Sequence, residues 1–103
     1  MKCTKLTDAV NRAIEQLGDS WTLAILGSLR TGDQRFCELQ RLLDDLNPAT
    51  LTQRLKMLEK EQMIYRKEET VNKISVVYGL TPKGRAFVPV IEKLEGFAER
   101  FLS

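Results

Sequence analysis

The sequence predicts an α+β domain, mostly α with one small β-hairpin. Three observations predict it. Apolar residues recur at helical spacing on both sides of residues 64–80, and that segment alone changes to a period of two. The pairs Asn47-Pro48 and Thr81-Pro82 each combine a capping residue with a proline at the first helical position. The 103 residues show no linker, repeat or low-complexity stretch, so residues 1–103 are expected to form a single domain.

The first helix spans about residues 6–17. Leu6, Val10, Ala13 and Leu17 form its apolar stripe, with Ile14 beside it, and Gly18 ends it. Asp19 can cap a second helix starting near Trp21. From there to Leu29 the chain is apolar nearly all round, as a helix at the centre of a core should be. Thr31-Gly32-Asp33 is turn chemistry. Phe36, Leu39 and Leu43 give a short third helix its inner face, and Asp44-Asp45-Leu46-Asn47 forms the next turn. The fourth helix, about 48–60, turns Leu51, Leu55, Leu58 and Gln62 to one side. It shows Ala49, Gln53, Lys56 and Lys60 on the other.

Ile64–Glu68 and Ile74–Leu80 read as two strands joined by Thr70-Val71-Asn72-Lys73. The last helix carries Phe87, Ile91, Leu94, Ala98 and Phe101 on one stripe, widened by Val90 and Phe97, and Pro89 should bend it. A short helix, a turn, a second helix and a hairpin together make a winged helix-turn-helix, with the wing at about 64–80.

In that layout the second helix of the pair lies in the major groove of double-stranded DNA. Gln53 suits adenine, and Thr50 and Thr52 suit a base edge or a thymine methyl. Lys56 suits guanine or a phosphate. The N–H groups after Pro48 suit a phosphate. Arg35, Ala49, Asn72 and Lys73 complete the expected DNA-contacting set.

The terminal stripes call for a partner. Leu6, Val10, Phe87, Ile91, Leu94, Phe97, Ala98 and Phe101 are the expected interface of a homodimer, which would place two reading helices about one DNA turn apart. The other reading open at this point is a winged-helix module that binds a protein through the same helix. DNA binding should weaken steeply with salt, whereas a mainly apolar protein interface should not.

Composition narrows the alternatives. The chain has no histidine, which removes Ser-His and Cys-His catalytic pairs, and it shows neither a phosphate-cradling glycine loop nor a convergent carboxylate pair. The sequence therefore predicts no enzyme and no cofactor. Two cysteines make neither a disulfide framework nor a structural zinc site, so no metal is expected. No apolar run reaches the ~18 residues of a membrane span, and a signal-peptide core is missing at Met1–Leu6, so the expectation is a cytoplasmic protein away from membranes. Net charge is +2, and residues 47–73 hold that whole excess, with six Lys/Arg against four acids. Cys37 falls in the first turn of the third helix, where the helix dipole and Arg35 would favour a thiolate. It is the candidate redox sensor, and a small-molecule or redox effector is compatible with this reading.

Four segments also carry a resemblance. Leu17–Leu26 resembles the GxKWTLLIL segment of HxlR-type winged-helix regulators, relatives of the MarR group. Arg35–Leu39 resembles their RFNEL, Thr50–Glu59 their TLTQRLKELE, and Tyr78–Ala86 their YSLTPKGRAL. The resemblance covers roughly Val10 to Ala98. It implies a homodimeric, sequence-specific bacterial or archaeal transcription factor that reads with the fourth helix and dimerises through its terminal helices. The chain also departs from the pattern. Asp8 stands where many members carry a sensing cysteine, and the nearest cysteine is Cys3. Ser20 replaces the basic residue before the tryptophan, and the usual wing proline and arginine are missing near Ile74 and Ser75.

Overall fold

A computed structural model describes residues 6–70 and 74–103. The elements run α1 (Asp8–Leu17), α2 (Ser20–Leu29), β1 (Gln34–Arg35), α3 (Phe36–Leu42), α4 (Pro48–Lys60), β2 (Ile64–Thr70), β3 (Ile74–Leu80) and α5 (Pro82–Phe101).

Side-chain caps set most helix starts. Thr7 accepts the N–H of Val10 for α1, and Asp19 accepts that of Thr22 for α2. Asn47 caps α4, and the Thr81 hydroxyl accepts the Gly84 N–H for α5. α3 starts differently: Glu38 reaches back to accept the N–H of Arg35 at 2.9 Å.

α2 lies at the centre of the core, as its apolar circumference predicts. Ile25, Leu26 and Leu29 are fully buried, together with Leu39 of α3 and Leu51 of α4, and Leu55 and Leu58 of α4 are nearly so. Trp21 is an exception and stays exposed at the start of α2.

Two sequence expectations need correction. The hairpin is not the whole sheet, because a third strand, β1, adds to it in the order β1-β3-β2. Gln34 pairs with Tyr78 and Arg35 with Val77. A two-residue strand is too short to show alternation, so its sequence carries no periodic signal. Gln62 does not continue the buried face of α4 either. The helix ends at Lys60, Gln62 takes a left-handed φ of 61°, and the next residue, Met63, turns into the core instead.

The turn between α3 and α4 has a specific chemistry. Asp44 and Asp45 both adopt φ of 57°, a conformation that a short polar side chain tolerates better than most. The Asp45 N–H donates to Gln40 O at 2.8 Å, and the Gln40 amide donates to Leu46 O at 3.0 Å. These bonds satisfy the end of α3 and set the direction in which α4 leaves.

α5 is seated on the turn that leads into β2. The Thr81 N–H donates to Met63 O at 3.1 Å, the Thr81 hydroxyl lies 2.6 Å from Gln62 O, and Lys83 donates to Glu61 O at 2.8 Å. Gly84 rests on the Met63 carbonyl, so closely that a Cβ would collide with that backbone oxygen. The helix continues through Pro89 without a break. Its first half joins the core through Ile91, with Phe87 and Val88 packed alongside. Its second half extends outward. The Cα radius of gyration is 14.9 Å, above the roughly 13 Å of a compact domain of about 100 residues.

Gly84→Ala tests this seat. The added methyl meets backbone rather than a flexible side chain, so stability should fall by about 1–3 kcal/mol in urea unfolding. An unchanged midpoint would show that α5 does not need this close approach.

Candidate nucleic-acid interface

The packing of α4 determines which of its residues face outward. With Leu51, Leu55 and Leu58 buried, Ala49, Thr52, Gln53 and Lys56 are exposed. Together with Pro48 they line one shallow surface depression. Neither the Gln53 amide nor the Lys56 ammonium is taken up by a hydrogen bond or ion pair within the described residues. Both remain available to an external partner.

Other expected members lie elsewhere. Thr50 is half-buried at the flank of α4. Arg35 is exposed but belongs to a second hollow, lined also by Phe36, Cys37, Glu38, Arg41, Ser75 and Val76. Asn72 and Lys73 lie outside the described residues. The phosphate site expected at the start of α4 is partly occupied by the chain itself. Asn47 Oδ1 accepts the N–H of Ala49 at 2.8 Å and of Thr50 at 3.4 Å. An N-cap side chain that satisfies these donors competes with any anion for them.

Two ties were not visible in the sequence. On α4, Arg54 Nη1 donates to Asp19 Oδ2 at 3.0 Å, which links this helix to the cap of α2. In the wing, the Tyr65 hydroxyl donates to Asp33 Oδ1 at 2.6 Å, tying β2 to the turn before β1. Tyr65 sits across from Gly79 in the β2–β3 register, and its ring occupies the space a Cβ at 79 would need. The hydrogen bond to Asp33 holds the Tyr65 phenol protonated and raises its pKa. Residues 35 and 32 positions apart form these pairs, and periodicity gives no sign of contacts at that separation.

On and beside the terminal helices, Leu6, Val10 and Ile14 are exposed, as are Val90, Leu94, Phe97, Phe101 and Leu102. Phe97 and Phe101 pack as a tilted pair with ring centroids 5.2 Å apart. Ile91 and most of Phe87 are taken up by the domain's own core, and Ala98 is half-buried. Cys37 is exposed and free. Among the described residues no helix is long and apolar enough to cross a membrane.

This geometry, a helix with an exposed polar face behind a tight turn and ahead of a wing, has clear counterparts. The profile of the HxlR-like helix-turn-helix family matches residues 16–103. The chain belongs to that family. It is 28% identical to the HTH-type transcriptional regulator YvaP of Bacillus subtilis (strain 168), over 99% of this chain and 94% of YvaP. It is 30% identical to YodB of the same organism, over 86% of this chain and 80% of YodB. A solved structure of a MarR-family transcriptional regulator from Enterococcus faecalis V583 superposes with a TM-score of 0.81 at 28% identity, covering 98% of this chain and 94% of that one. This HxlR-like protein is therefore a DNA-binding transcriptional regulator with a MarR-like winged-helix fold.

The Asp19 junction makes a pH prediction. Partial burial pushes the Asp19 carboxyl up, but the Thr22 hydroxyl and N–H and the charge of Arg54 outweigh it and hold the pKa below the usual carboxylate range. A lowered pKa in the folded state gives stability that is present above the unfolded value of about 4. That stability is lost as pH falls through the folded value. The advantage of wild type over Asp19→Asn should therefore be larger at about pH 6 than at about pH 3 in urea unfolding. An advantage that does not change with pH would contradict this source.

Proposed function

We propose that the protein acts in the cytoplasm as a homodimeric, sequence-specific regulator, reading double-stranded DNA with the exposed face of α4. The observation that carries this reading is the cluster of Ala49, Thr52, Gln53 and Lys56 around one depression, its polar groups without a partner among the described residues. The chemistry matches base edges: an amide for adenine, small apolar groups for a thymine methyl, and a cation for guanine or phosphate. Arg35, Thr50, Asn72 and Lys73 stand as flanking contributors in this reading, with the wing against the neighbouring backbone or minor groove.

The dimer is supported by the exposed apolar residues of the two terminal helices. Leu94, Phe97 and Phe101 on α5 are more than half exposed, at 52%, 55% and 62%, and Leu6 just before α1 and Val10 on it exceed 40%. Large apolar side chains left exposed in this number support an association face. A two-fold axis through it would place two α4 helices on successive turns of one DNA face.

The reading of an effector has its support in YodB, whose solved structures include diamide-treated and quinone-bound forms. In this chain the exposed thiol of Cys37 is the described group through which such a signal would act.

Two substitutions test the main reading separately. Gln53→Ala should cost about 1–3 kcal/mol on the operator and relax specificity at one position, measured by fluorescence anisotropy. Equal loss on every sequence would remove Gln53 from base reading. Leu94→Glu should give monomers in sedimentation and weaken operator binding. A dimer that survives it would place the interface elsewhere.

A further inference from the structure

The Asp19 carboxylate does more than cap a helix. Its Oδ1 accepts the Thr22 N–H at 3.0 Å, and its Oδ2 accepts the hydroxyl of fully buried Thr22 at 2.6 Å. The same Oδ2 accepts Arg54 Nη1 at 3.0 Å. Thr22 anchors the carboxylate to the most buried helix of the domain, and the carboxylate in turn grips α4 from the side.

Leucine packing decides which face of α4 is buried, but apolar contact is non-directional and sets the roll of the helix only loosely. A hydrogen-bonded ion pair is directional. Arg54 follows Gln53 in sequence, so a bond at 54 controls roll close to the amide that reads the base. A roll of about 10° at the roughly 5–6 Å radius of a helix surface moves a side chain by about 1 Å, enough to break a base-edge hydrogen bond.

Resting on the reading given under Proposed function, we propose that Asp19 and Arg54 are the positioning pair of the reading helix. They set the roll of α4 and thereby its discrimination between operator and random DNA, and Arg54 is not a phosphate-binding cation.

The experiment compares wild type, Asp19→Asn and Arg54→Gln on the selected operator and on random duplex across a range of salt, with thermal melts as the folding control. Asparagine caps a helix as well as aspartate does, so Asp19→Asn removes the charge and keeps the cap. It also remains informative if Arg54→Gln fails to fold. The two variants change net charge in opposite directions, so general electrostatics moves their random-DNA affinities apart. Positioning predicts a common result: both lose roughly tenfold of the operator-to-random ratio, the value of about one good base contact, and the salt slope is unchanged.

If Arg54 instead binds phosphate, Arg54→Gln weakens operator and random DNA alike and lowers the salt slope by about one. Asp19→Asn then strengthens both by freeing the guanidinium. That outcome overturns the assignment, as does an unchanged ratio in both variants. A wild-type protein that binds operator and random DNA equally well would remove the reading itself, which is a separate result.

Discussion

The molecule depends on the one-sided burial of α4. Leu51, Leu55 and Leu58 sit at 0–1% exposure against a core built around α2. Full burial of a leucine is worth about 1.5–3 kcal/mol, so exposing all three would cost several kcal/mol. Turning the helix half a revolution would also bury Gln53 and Lys56 without partners, a further penalty. No surface ion pair among the described residues competes with that, since exposed pairs contribute about 0–1 kcal/mol each. The outward set of Ala49, Thr52, Gln53 and Lys56 is therefore a consequence of the core, and the chemistry this face offers follows from which residues occupy it.

The polar ties act at a second level, on orientation. Asp19–Arg54 joins α4 to α2, Tyr65–Asp33 joins the wing to the turn before β1, and a two-pronged Arg30–Glu95 pair joins the end of α2 to α5. All three involve partly exposed groups, so they add little to stability. Each nevertheless crosses between elements that a regulator must hold at fixed angles. The Arg30–Glu95 pair lies where α5 leaves the core, between the buried part of the domain and the exposed apolar end.

Much of this was legible in the sequence because strong local rules agreed. The Asn47-Pro48 and Thr81-Pro82 starts, the leucine spacing of α4 and the all-round apolar α2 each gave the correct element, and four short motifs gave the family. What escaped had physical reasons. β1 is too short for a pattern and exists only because β3 offers it an edge. Gln62 fits the helical spacing of α4, but a left-handed turn ends the helix first and Met63 takes its place. The last helix reads as one stripe, yet Ile91 is buried while Leu94 and Phe101 are exposed. Periodicity shows which side of a helix is apolar, and not how much of its length the domain can cover. The start of α4 reads as an anion site, although its own cap already holds two of the N–H groups.

The central claim is that two copies read one DNA site through paired α4 helices. Selection of bound sequences from random duplex DNA, at low and physiological salt, tests it most directly. The account predicts a palindromic motif with half-sites centred about ten base pairs apart, still enriched at the higher salt. Enrichment of an isolated half-site, or salt-sensitive binding with no enrichment at all, would contradict it.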